Sequence, residues 1–383
     1  MAKLGRDEAE LERLGAIWTA REIAQQPAML RKTHTMLLAN RDALEGFLHS
    51  LLDRSGMRVI LTGAGTSSFI GECLAPYLAA YLKLRVEAIP TTDLVCAPSV
   101  YFQKNMPTLL VSFARSGNSP ESIAAVELAQ QLIGELHHVA ITCNRDGALA
   151  RKLDLAIDAM RILLPDETHD QSFAMTSSFT CMKYAARAAL CGISTTTPRL
   201  ERIADAMENV IAEQRDTIRM LARNRYERVV YLGSHIFKGL AREAALKLLE
   251  LTDGAVIALH DSPLGFRHGP KIVTNERTLI VIFLSNDPYT RLYDLDLLDE
   301  IQRDCRHVLA ICGREDGLSA RVQRILVPAM QDAEDVELLI PFIAAPQIFA
   351  FEQAISRGLC PDKPNVSGTV HRVVRGVRIH DFK

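Results

Sequence analysis

An α/β fold built twice over is predicted by three features of this 383-residue chain. Apolar, strand-like runs alternate with helical segments through most of its length. One stretch, His138-Val139-Ala140-Ile141-Thr142-Cys143-Asn144-Arg145-Asp146-Gly147, returns as His307-Val308-Leu309-Ala310-Ile311-Cys312-Gly313-Arg314-Glu315-Asp316-Gly317. Turns rich in serine and threonine follow several of the strands. Alternation of this kind implies mainly parallel sheets covered by helices on both faces.

Residues 1–52 read as a helical extension, with Leu30, Leu37, Leu38, Leu44, Leu48 and Leu51 in helical patterns. Arg58-Val59-Ile60-Leu61 gives a strand, and Gly63-Ala64-Gly65-Thr66-Ser67-Ser68 turns the chain into a helix ending near Lys83. Strands are expected at Arg85–Ile89, Leu109–Ser112 and Val139–Thr142. The second copy echoes the first: Leu61-Thr62-Gly63 returns as Tyr231-Leu232-Gly233, and Arg161-Ile162-Leu163-Leu164-Pro165 as Arg324-Ile325-Leu326-Val327-Pro328. Echoes in one order at similar offsets argue for two copies of one unit. The expected division is 1–52 extension, 53–195 first copy, 196–222 a long linking helix after Ser194-Thr195-Thr196-Thr197-Pro198, and 223–383 second copy with a tail.

Bulk composition narrows the function. Hydrophobic residues are 48%, charged residues 23%, and the net charge is −2, so neither nucleic acid nor an anionic membrane is expected as a partner. No run of eighteen apolar residues occurs and the N-terminus lacks a signal-like apolar core, which places the expected protein in the cytoplasm. Eight cysteines stand singly, as reduced residues would. No metal-ligand spacing emerges, and no metal or cofactor is expected.

The turn after the third strand carries the strongest chemical signal. Arg115-Ser116-Gly117-Asn118-Ser119-Pro120-Glu121-Ser122 joins an apolar strand to a helix whose first position is a proline. Free amides, a positive helix end and several hydroxyls make a seat for a dianion. An ordinary N-cap needs only one hydroxyl, whereas Ser116, Ser119 and Ser122 crowd this turn. Gly63-Ala64-Gly65-Thr66-Ser67-Ser68 resembles a dinucleotide fingerprint but lacks its third glycine, and suits a compact phosphate better. Thr176-Ser177-Ser178 forms a third hydroxyl group, which a capped helix would explain equally well. In the second copy Glu243, Lys247 and Glu250 stand at i, i+4 and i+7 on one helical face. Sequence alone favours a solvated stripe there, with one Glu–Lys pair. His268, held between Gly265 and Pro270 beside Arg267, is an acid/base candidate.

With those residues in view, the two copies resemble the sugar isomerase (SIS) domain, and the pair is similar to the isomerase half of glucosamine-6-phosphate synthase. The stretches 62–67, 116–122, 174–178, 265–271 and 367–374 resemble the AgaS family, named tagatose-6-phosphate ketose/aldose isomerase and galactosamine-6-phosphate deaminase/isomerase. The resemblance implies two five-stranded, flavodoxin-like domains. It implies that Ser67, Ser116 and Ser119 hold a sugar phosphate, with Gly65, Thr66, Arg115, Gly117, Asn118, Thr176 and Ser177 nearby. It puts the proton-shuttling base at Glu250, with Glu243 and Lys247 flanking it, and ring opening at His268 from a partner subunit, hence a homodimer or homotetramer. The synthase's imine-forming lysine has no counterpart in Ser367-Gly368-Thr369, so no covalent imine with the enzyme is expected. The expected reaction is deamination of galactosamine 6-phosphate to tagatose 6-phosphate. Plain aldose–ketose isomerisation is the alternative, and a sugar-phosphate sensor without turnover is a third reading. A nicotinamide enzyme fits least.

Overall fold

The computed structural model describes residues 2–153, 158–374 and 376–382. It contains two five-stranded sheets, every strand pair parallel. The first is built from β1 (Arg58–Thr62), β2 (Arg85–Ala88), β3 (Thr108–Ala114), β4 (Leu136–Thr142) and β5 (Ala159–Leu163), in the order β2-β1-β3-β4-β5. The second uses β6 (Arg228–Gly233), β7 (Ile257–Asp261), β8 (Thr278–Phe283), β9 (His307–Cys312) and β10 (Gln323–Leu326), in the order β7-β6-β8-β9-β10. The two orders are the same when each copy is counted from its own first strand, so the repeat visible in the sequence is a repeat of topology.

The central strands are apolar runs because both faces are covered. β1 and β3 are buried at every residue, whereas the edge strand β2 is exposed or half-buried throughout. Ile60, Leu110, Ala125, Val126 and Ala140 join in the first core, and Val230, Ile280, Ile282, Leu297 and Ala310 in the second. A close approach is repeated as well. A Cβ on Gly63 would lie 2.7 Å from the carbonyl carbon of Ser67, and one on Gly233 would lie 2.4 Å from the carbonyl oxygen of Phe237. At both places the helix after the first strand of its copy packs so tightly that only glycine fits.

Contacts group the chain into two compact units, one of residues 28–170, 177–200 and 368–383, the other of residues 1–27, 171–176 and 201–367. The N-terminal extension is therefore shared out. Helix Arg41–Leu52 belongs with the first sheet, while Glu8–Arg13 and Ile17–Ala24 belong with the second. There Arg6 makes a two-pronged, buried ion pair with Glu352. The segment expected as one long helix is two, Leu200–Glu213 and Arg215–Ala222, and both pack in the second unit. The helix Asp335–Ser356 is long and apolar enough to cross a membrane by composition, but 94% of its apolar window is buried as a core helix.

Candidate active site

In the first sheet the chain direction switches between β1 and β3: the crossover from β1 leads outward to β2, while β3 leads to β4 and β5 on the other side. In open parallel sheets of this order, ligands bind at the carboxyl ends of the two strands that flank the switch. The turns that leave those ends are Gly63–Thr66 and Arg115–Ser119, and β1 and β3 run in register up to Thr62 opposite Ser112.

The first turn depends on Gly65, whose φ of 55° lies in the left-handed region. Thr66, Ser67 and Ser68 then open the helix Thr66–Leu82 and are buried. The Ser68 hydroxyl donates back to the Gly65 carbonyl at 2.8 Å. In the second turn Gly117 has φ 66°, and the turn is pinned from the β4 side. Asn144 donates to the Ser116 carbonyl at 2.7 Å, Leu149 N–H to the Gly117 carbonyl at 2.9 Å, and Ala148 N–H to the Asn118 side chain at 2.9 Å. Ser119 occupies the N-cap position of the helix Pro120–Leu132 without a side-chain bond to its amides, its hydroxyl 2.6 Å from that of Ser122. The Asn118 side chain thus holds the loop's shape, while the start of a 13-residue helix supplies positive potential.

Two expected phosphate contacts have other partners in this unit. The buried Arg115 guanidinium donates to the Arg372 carbonyl at 2.7 Å, and Arg372 donates in turn to the Asp170 carbonyl. Ser177 donates its hydroxyl to Asp170, which also accepts from the Ser178 N–H at 3.0 Å and the Ser178 hydroxyl. Asp170 thus caps the start of the helix Ser177–Cys191 and engages both of its first hydroxyls. Thr176 is fully buried. His169, half-buried beside this clasp, is held below the usual histidine range by burial first and by Arg372 and Arg115 next.

The second copy places Glu243, Lys247 and Glu250 on the helix Phe237–Leu251, and here the solvated-stripe expectation fails. Glu243 and Lys247 are completely buried. The Lys247 ammonium lies 3.6 Å from a Glu243 carboxylate oxygen and donates a hydrogen bond to Glu250, whose side chain stays 22% exposed. A lysine taken out of water holds its charge only beside carboxylates, so this trio behaves as one electrostatic unit with a single accessible acid. His268 is exposed, in the turn between the short helix Pro263–Phe266 and Pro270, and Gly269 takes a φ of 121°. Neighbouring Arg267 pairs with Glu300 at 2.8 Å and Lys271 with Glu300 at 2.6 Å, which secures the turn to the helix Pro288–Asp304.

Asp170, Asn144 and Arg372 were not singled out from the sequence as supports of the site. Asn144 sits inside the repeated strand-and-turn segment and Arg372 inside the family-like tail 367–374, whereas Asp170 left no signal.

A SIS domain model matches residues 51–191. The chain is 44% identical over 369 residues to the D-galactosamine-6-phosphate deaminase AgaS of Escherichia coli, covering 96% of each protein. It is 44% identical over 376 residues to the protein of the same name from Shewanella sp. (strain ANA-3), covering 97% of this chain and 94% of that one. Among solved structures, tagatose-6-phosphate ketose/aldose isomerase from Escherichia coli matches with a TM-score of 0.89 and 42% identity, over 96% of this chain and 97% of that one.

Proposed function

The chain belongs to the AgaS family, and on that premise we propose that it converts D-galactosamine 6-phosphate and water to D-tagatose 6-phosphate and ammonia. The observation that carries the reading is the near-full-length identity to proteins named for this deamination.

In the proposed mechanism the first-copy turns hold the phosphate, with Ser67, Ser116 and Ser119 as hydroxyl donors beside backbone amides and the helix end. Gripping the substrate far from the reacting carbons fixes its orientation, an entropic contribution to rate. His268 opens the sugar ring by moving a proton between the ring oxygen and the anomeric hydroxyl. Glu250 then removes the C2 proton, giving a planar enol-amine, and returns a proton to C1. The product of that transfer is an imine at C2. Water adds to this carbon and the C–N bond breaks, leaving a ketone and ammonia. The accessibility of Glu250, which accepts a hydrogen bond from the buried Lys247, supports the base assignment. Glu243 is proposed as the partner that keeps Lys247 in place.

The name of the solved E. coli relative favours a second reading, isomerisation without loss of nitrogen. An ammonia assay separates the two. Glu250→Gln should abolish turnover and leave substrate binding within a few-fold; an active Glu250→Gln protein would remove Glu250 as the base. We place the protein in the cytoplasm, a reading supported by eight free thiols. The assembly is proposed to be a homodimer or larger, with the exposed His268 serving a partner's substrate. Mixing inactive His268→Ala and Glu250→Gln proteins should then restore part of the activity.

A further inference from the structure

The second copy repeats the first copy's switch-point turns, but its donors are already taken. Ser234, the residue after β6, donates its hydroxyl to one oxygen of Asp294, and the N–H of Ser285, just past β8, donates to the other at 2.9 Å. The Ser285 hydroxyl and the Asn286 N–H, at 2.7 Å, donate to the two oxygens of Asp335. Two carboxylates therefore collect four donors from both turns, the kind of set that would hold an oxyanion. The frame around them is fixed. Asp287 caps the helix Pro288–Asp304, and Arg291 holds the Ser285 carbonyl at 3.0 Å together with the carbonyls of Arg314 and Asp316.

Neither carboxylate exists in the first copy. Counted from the proline that opens each helix, Asp294 matches Val126, which lies in the first apolar core. Asp335, the first residue of its own helix, matches Ser177. By the same counts Ser285 and Asn286 match Gly117 and Asn118, and Ser234, one past Gly233, matches Ala64, so the turns recur but only in the second copy do their donors meet these two carboxylates. A tethered carboxylate competes at an effective concentration that free phosphate does not reach.

We propose that the second copy holds a closed oxyanion seat, filled by Asp294 and Asp335, so that the wild-type chain takes one phosphate. Replacing both residues by their first-copy matches opens a second seat for a phosphate dianion. This rests on reading the first-copy turns as a phosphate seat. The test is equilibrium dialysis of the full chain against radiolabelled inorganic phosphate, comparing wild type with Asp294→Val/Asp335→Ser. One phosphate per wild-type chain and two per variant chain are expected. One in both, with a cooperative melt and native circular dichroism for the variant, overturns the proposal, as do two in the wild type. None in the wild type and one in the variant would remove the first-copy reading while supporting the second-copy seat. If the double variant does not fold, Asp294→Ser alone vacates the Ser234 and Ser285 donors with a smaller change, and the same counts decide.

Discussion

Gly63→Ala is the sharpest perturbation of the first turn. The added Cβ would sit 2.7 Å from both the carbonyl carbon and the Cβ of Ser67, where ordinary contact begins at 3.4 Å. Backbone cannot rotate aside as a side-chain tip can, so the start of helix Thr66–Leu82 must retreat by about 0.7 Å. That start carries Ser67, a proposed phosphate ligand. Overpacking of this kind costs about 1–3 kcal/mol of stability, and a misplacement approaching 1 Å at a positioning group costs on the order of tenfold to a hundredfold in rate. The second copy supplies an internal control, because Gly233→Ala meets Phe237 with the same geometry away from the first-copy turns. Both variants should lose stability in urea titrations, but Gly63→Ala should lose substrate and inorganic-phosphate affinity in greater measure. A Gly63→Ala protein whose kcat/KM and phosphate affinity stay within about twofold of wild type would refute the claim that this turn shapes the seat.

Other outcomes follow from the same geometry. Lys247→Met takes a buried cation from beside Glu243 and Glu250, and should cost about 3–5 kcal/mol in urea unfolding; a loss below about 1 kcal/mol would mean the trio is solvated. Asp294 is pushed up to about 6, by burial first, with nearby Asp335 adding to the shift. A carboxyl raised in the folded state adds stability that is complete below its unfolded pKa and disappears as pH rises through the folded one. Wild type should therefore lose about 2–3 kcal/mol between roughly pH 4 and pH 6 relative to Asp294→Val, and parallel stability–pH curves for the two proteins would contradict this. Asp170→Ala removes the acceptor for three donors at the start of helix Ser177–Cys191 and should cost about 1–3 kcal/mol, read as a lowered Tm.

Much of the fold was legible because its causes are local. Buried parallel strands need apolar runs, so β1, β3, β4 and β9 stand out, and duplication doubled the signal. The division into units was less legible. Whether Ile17–Ala24 packs with one sheet or the other depends on partners such as Glu22, which accepts from the Ser172 N–H at 3.1 Å, 150 residues away. The same limit governs the site. The Ser116–Ser122 turn announces itself through crowded hydroxyls, but nothing in the spacing of Glu243, Lys247 and Glu250 shows that two of them are sealed from water. Only the apolar residues around them (Ala244, Ala245, Leu248, Leu251), all buried, hint at it. Ser177 shows the converse limit: the sequence does not reveal that its hydroxyl donates to Asp170, seven residues earlier.

The fate of nitrogen decides between deamination and its alternatives. Purified protein given D-galactosamine 6-phosphate should release ammonia and D-tagatose 6-phosphate in equal amounts, with Glu250→Gln releasing neither. Interconversion of aldose and ketose phosphates with no ammonia, or ammonia release that survives Glu250→Gln unchanged, would contradict it.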